Sequence, residues 1–172
     1  MSGEVARRCI IFPFAILTVM AASLHKSETR MGASSPVDRR SSGVKPLVLV
    51  VEDHDDTRFM LGYLMEMRGC RVVEAMDGEE AVRLAEAEHP DLILMDATLP
   101  RVDGLTATRR IREHAALHSV PIIFLSGHSQ LDIRAEAIAT GGTEYLVKPL
   151  NLSDLERTVE RFLGESRNIN AS

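Results

Sequence analysis

Leu92-Ile93-Leu94-Met95-Asp96-Ala97-Thr98-Leu99-Pro100-Arg101-Val102-Asp103-Gly104 is the stretch on which the fold turns. Four consecutive apolar residues lead into one carboxylate, and Pro100 with Asp103-Gly104 ends the run before a new helix. A continuous apolar run of this kind suits a strand buried on both faces, as in parallel sheets; a half-exposed strand would alternate. Comparable runs flank it at Leu47–Val51, Val72–Val73, Ile122–Leu125 and Tyr145–Val147, and three of the five are continuous.

Helical periodicity fills the intervals. Phe59, Met60, Tyr63, Leu64 and Met67 recur at i, i+3, i+4 spacing and form one apolar stripe, and Leu155, Val159, Phe162 and Leu163 do the same near the end. Asp55 or Asp56 can cap the first helix and Gly69 can close it. Asp77-Gly78 turns into the second, His89-Pro90 ends it, Gly104 opens the third, and Gly141-Gly142 stops the fourth. Five β/α units in about 120 residues are too few for an eight-stranded barrel. The expected architecture is α/β: an open, five-stranded, parallel, doubly wound sheet with five helices and ligands at the carboxyl ends of its strands.

The residues following each strand carry the chemistry. The first strand ends in Glu52-Asp53, the third in Asp96, the fourth in Ser126 and the fifth in Lys148-Pro149. In a parallel sheet all of these share one edge. Three converging carboxylates repel strongly, and a hard divalent cation with oxygen ligands, Mg²⁺ by preference, relieves that repulsion. Lys148 is the only lysine in residues 46–172, among twelve arginines, which suggests a need for a compact ammonium. A carboxylate facing a cation, a lysine and a hydroxyl can take a phosphoryl group, since that transfer needs positioning and charge neutralisation above all.

Leu49-Val50-Val51-Glu52-Asp53, the stretch Met95–Gly104, Ser126 after an apolar strand, and Tyr145-Leu146-Val147-Lys148-Pro149 together resemble bacterial response-regulator receivers of the single-domain, chemotaxis type. The resemblance spans residues 46–164 and implies a flavodoxin-like sheet, Mg²⁺, and a phosphoryl donor that is a sensor histidine kinase or histidine phosphotransferase. It implies Asp96 as phosphoacceptor, with Asp53, Asp96 and the Thr98 backbone carbonyl on the metal and Glu52 acting through water. Ser126 and Lys148 would hold phosphoryl oxygens. Tyr145 would be a switch residue, swinging from partly exposed to buried, and Lys148-Pro149 a cis bond. Ser126 stands where Thr is commoner and Gly127 where Ala is usual. Gly127 should loosen its loop.

Rival readings meet specific obstacles. A haloacid-dehalogenase-type hydrolase would need a second Asp where Thr98 stands. A flavodoxin-like cofactor binder would need a Gly/Ser/Thr loop where Glu52-Asp53 would repel phosphate. A receiver that binds partners without phosphorylation finds no support, because every acidic, hydroxyl and lysine position is filled. His25, His54, His89, His114, His118 and His128 show no metal-ligand spacing and read as surface residues, with His128 able to reach the pocket mouth. Arg109, Arg110 and Arg112 read as a solvated helix face.

Residues 1–45 hold seven Lys/Arg against three Asp/Glu, and residues 46–172 thirteen against twenty-two, within a net charge of −5. An acidic globular part argues against nucleic-acid binding. Cys9 and Cys70 make no disulfide framework, which suits a reducing, cytoplasmic setting. Arg7-Arg8 precede an apolar run, Cys9–Ala22, shorter than the about 20 residues a membrane-spanning helix needs. Two readings stand: a signal-peptide-like segment with Ala21-Ala22-Ser23 as a loose cleavage site, leading to export or membrane tethering, or a true translation start at Met20 or Met31. Residues 32–45 read as a flexible basic linker. The expected organisation is therefore residues 1–45 outside the fold, a receiver at 46–164 and a disordered tail at 165–172. That tail is too short for a DNA-binding output domain. The expected output is then a partner protein or onward transfer to a histidine phosphotransferase.

Overall fold

All five residues of Leu47–Val51, Leu92–Asp96 and Ile122–Ser126 are buried, so no alternation survives in these strands. The computed structural model describes residues 44–127 and 131–168. Its elements run β1 (Leu47–Val51), α1 (Asp55–Met67), β2 (Arg71–Ala75), α2 (Gly78–Glu88), β3 (Leu92–Asp96), α3 (Gly104–Glu113), a 3-10 turn (Ala115–Leu117), β4 (Ile122–Ser126), α4 (Leu131–Ala139), β5 (Glu144–Val147) and α5 (Leu152–Asn168). The sheet is wholly parallel in the order β2-β1-β3-β4-β5. The chain forms the five-stranded doubly wound sheet expected of it.

Alternate strand residues feed two cores. Val48, Val50, Leu92, Leu94, Ile123 and Leu125 pack with Leu61 and Met65 of α1 and with Leu155 and Val159 of α5. Leu49, Val51, Ile93, Met95, Phe124 and Tyr145 pack against Ala81 and Ala85 of α2, Ala107 and Ile111 of α3, and Ala137 of α4. Edge strand β2 is exposed at Arg71 and Glu74, which explains why only Val72–Val73 marks it in the sequence.

Four expectations need correction. The stripe Phe59, Met60, Tyr63, Met67 is not the face that α1 buries: these residues are exposed, while Leu61, Gly62 and Met65 turn inward. Residues 59–65 are apolar nearly all round the helix, so periodicity alone could not orient it; Phe59 and Tyr63 instead stack on each other, 6.4 Å between ring centroids. The N-cap of α1 is His54, without a side-chain cap, and Asp55 and Asp56 occupy the first turn. Arg112 does not belong to a solvated face with Arg109 and Arg110; it is turned in against backbone carbonyls. Helix α5 continues through Asn168, past the boundary expected at residue 164. Residues 1–43, the 128–130 segment with His128, and residues 169–172 lie outside the described residues, and with them the expectations for the apolar segment, the linker, the pocket mouth and the end of the tail. No helix among the described residues is long and apolar enough to cross a membrane.

Candidate functional site

Register brings the strand ends together. Val51 pairs with Met95, Asp96 with Leu125, and Ser126 with Val147. Glu52, Asp96, Ser126 and Lys148 therefore line one edge, above the β1/β3 crevice where the order of a doubly wound sheet reverses. Two glycines let the backbone close in. A Cβ on Gly104 would sit 2.1 Å from the Asp96 carbonyl oxygen, and one on Gly78 would sit 2.2 Å from that of Val102.

Glu52 is fully buried, Asp96 is 5% exposed, and the Lys148 ammonium donates to both, at 2.6 Å to Glu52 Oε2 and 2.6 Å to Asp96 Oδ2. The other Asp96 oxygen accepts from the Thr98 N–H at 2.8 Å. Burial alone would lower the Lys148 pKa, but the hydrogen bonds to Asp96 and Glu52 and their charges raise it above the ordinary value. Ser126 is fully buried, and its carbonyl accepts from the Lys148 N–H at 2.7 Å, which ties the fourth and fifth strand ends together. The Lys148–Pro149 bond is cis. Tyr145 is 4% exposed, so the ring already lies at the buried end of the swing expected for it.

Asp53 is partly exposed and touches the exposed ring of His54, whose Nδ1 lies 3.0 Å from Asp53 Oδ1 and 3.4 Å from Glu52 Oε1. The Asp53 hydrogen bond and charge, with the Glu52 charge, raise the His54 pKa. His54, by sequence an ordinary surface residue, can offer a ligand atom beside both carboxylates. Its position next to Glu52-Asp53 was the available signal. Arg58 was missed altogether: from α1 it donates to the Glu52 carbonyl at 2.8 Å and pairs with Asp55.

Two buried carboxylates, Glu52 and Asp96, share the Lys148 ammonium, and the partly exposed Asp53 lies next to Glu52 against His54. This oxygen-rich donor set, left with excess negative charge, fits a hard divalent cation.

The response regulator receiver domain family matches residues 48–160. The chain belongs to that family. Among curated relatives, this receiver chain is 37% identical over 139 residues to the transcriptional regulatory protein PdtaR of Mycobacterium tuberculosis, covering 80% of this chain and 66% of that protein. It is 32% identical over 116 residues to the regulatory protein AtoC of Escherichia coli, covering 67% of this chain and 25% of that one. The chain thus spans just under two thirds of one relative and a quarter of the other. Among solved structures, the receiver domain of the sensor histidine kinase PA1611 from Pseudomonas aeruginosa matches with a TM-score of 0.66 and 36% identity, covering 70% of this chain and 99% of that one; it carries a magnesium ion coordinated in its active-site cleft. The chemotaxis protein CheY4 of Vibrio cholerae matches with a TM-score of 0.66 and 29% identity, covering 69% of this chain and 99% of that one. Receivers of this kind are the signalling input of two-component response regulators.

Proposed function

We propose that this receiver takes a phosphoryl group onto Asp96 with Mg²⁺ beside it and signals through a change of surface. The observation carrying the proposal is the buried Asp96 carboxylate bridged by the Lys148 ammonium to Glu52. That ammonium is placed to move from two carboxylates onto an incoming phosphoryl oxygen.

The donor is a phosphohistidine on a histidine kinase or phosphotransferase. An Asp96 oxygen attacks phosphorus, the phosphorus–nitrogen bond breaks, and the imidazole leaves with the electron pair. Lys148 and the Ser126 hydroxyl donate to two phosphoryl oxygens. Asp53, Asp96 and the Thr98 carbonyl would hold the metal, and Glu52 would act on it through water. When bound, Mg²⁺ supplies the positive charge that lets an anionic carboxylate meet an anionic phosphoryl group. Phosphorylation adds roughly −1.5 to −2 charge at Asp96. Ser126 is drawn onto the new oxygens. Tyr145, packed beside Phe124 in the same core, reports that movement to the surface of α4 and β5. The acidic character of residues 46–172 favours a protein as the recipient of the signal over nucleic acid.

Incubation with acetyl phosphate and Mg²⁺ should yield one aspartyl-phosphate, mapped by mass spectrometry to Asp96. Asp96→Asn should abolish it, and EDTA should suppress it in the wild type. Stoichiometric labelling that survives Asp96→Asn overturns the assignment.

A further inference from the structure

The loop joining β3 to α3 carries Thr98, and its two ends are pinned independently of its tip. Ala97 N–H donates to Leu125 O at 3.0 Å, and Gly104 N–H returns to Ala97 O at 3.2 Å, which closes the base. Among the described residues, the polar contacts that reach the tip from outside come from the start of α2. Gly78 N–H donates to Val102 O at 3.2 Å, and Asp77 pairs with Arg101.

Asp77 is an unusual helix cap. Its side chain is 1% exposed, and one oxygen accepts from the Glu80 N–H at 2.9 Å, as capping requires. The other oxygen accepts no hydrogen bond and faces the Arg101 guanidinium as an ion pair. Capping alone needs only an acceptor, and Asn or Ser would supply it. A charge buried to this degree needs a cation. The cation comes from a side chain that is 64% exposed and sits on backbone with φ of 62°, a region that residues other than glycine seldom occupy. Arg101 thus holds a rare backbone conformation three residues beyond Thr98, while its side chain reaches a carboxylate buried in another element.

We propose that Asp77 and Arg101 are positioning residues for the metal-binding loop: their ion pair locks the 98–102 segment against α2 and so fixes the Thr98 carbonyl for the cation. This rests on the reading of the carboxyl edge as the Mg²⁺ and phosphoryl site. A partner that orients a metal ligand without touching the metal commonly changes affinity by about tenfold or more.

Calorimetric Mg²⁺ titration of the full chain tests the proposal, with wild type, Asp77→Asn, Arg101→Gln, Arg101→Lys and Asp53→Asn compared well below their melting temperatures. Asp77→Asn keeps the cap acceptor and removes the charge, and Arg101→Gln alters an exposed side chain, so it carries the test if Asp77→Asn folds poorly. Both should weaken Mg²⁺ binding about tenfold, and the double variant should be no weaker than either alone. Arg101→Lys should recover part of the loss. The Thr98 amide resonance should respond less sharply to Mg²⁺ in Arg101→Gln than in wild type. If wild type binds, Asp53→Asn does not, and Arg101→Gln binds within twofold of wild type, the positioning role is wrong while the site stands. If wild type itself fails to bind Mg²⁺, the site reading falls and the positioning role with it.

Discussion

The two edges of the sheet treat charge in opposite ways. At the amino edge every charge named here is consumed. Arg112, at the end of α3, donates to Gly141 O at 3.0 and 2.8 Å, to Leu117 O at 2.7 Å and to Val120 O at 2.8 Å. Asp91 accepts from the Leu47 N–H at 2.8 Å. Glu144 is held between Arg134 of α4 and Arg161 of α5. At the carboxyl edge Glu52 and Asp96 share Lys148 while Asp53 meets the exposed His54 ring, and negative charge is left over. One edge spends its charged groups on backbone and on each other, which stabilises the fold. The other keeps an imbalance that an added cation can resolve, a common cost at functional sites.

Breaking the amino edge should cost stability and leave chemistry alone. Arg112 has no carboxylate partner among its hydrogen bonds, and burial lowers its pKa, so its role lies in those carbonyl contacts. Arg112→Met should orphan several partly buried carbonyls and lose about 3 kcal/mol in urea denaturation. Labelling of Asp96 should persist wherever the variant remains folded. Loss of labelling in a fully folded variant would mean that the two edges are coupled.

Glu144 offers a smaller, pH-resolved effect. Burial pushes its carboxyl up, but the Arg161 hydrogen bond, the Tyr145 N–H and the charges of Arg161 and Arg134 hold it below the ordinary value of 4.5. A folded-state pKa that is depressed gives stability present above the unfolded value and lost as pH falls through the folded one. Glu144→Gln should therefore cost about 0.5 kcal/mol near neutral pH. The gap to wild type should close as the medium becomes more acidic than pH 4.5. A gap that stays constant through the acid limb would assign the loss to packing rather than charge.

What could be read in the sequence follows the same division. The carboxyl edge was legible because a parallel sheet puts every strand's carboxyl end on one side, so Glu52-Asp53, Asp96, Ser126 and Lys148 could be grouped from strand order alone. Strands β1, β3 and β4 were legible because burial on both faces leaves unbroken apolar runs. The face of α1 was not, since Phe59, Met60, Leu61, Tyr63, Leu64 and Met65 give a helix with apolar residues on every side; only the fit of Leu61 and Met65 to Val48 and Val50 selects one. Nothing local distinguishes Arg112 from Arg109 and Arg110, because its partners arrive from the segments before β4 and β5. His54 and Arg58 were within reach, one beside the acidic pair and the other one turn along α1. The Asp77–Arg101 pair joins two loops far apart in sequence, and each residue by itself looks like an ordinary turn residue.

The contrast between the edges reduces to one paired measurement: urea denaturation of wild type and Asp96→Asn, each with and without saturating Mg²⁺. Removing the Asp96 charge relieves repulsion with Glu52 and Asp53, so without Mg²⁺ Asp96→Asn should be at least as stable as wild type. Wild type should gain more than about 1 kcal/mol once Mg²⁺ exceeds its dissociation constant tenfold, and the variant should gain almost nothing. An Asp96→Asn protein destabilised by several kcal/mol, or one stabilised by Mg²⁺ as strongly as wild type, would contradict the account of the carboxyl edge as a site whose excess negative charge a cation relieves.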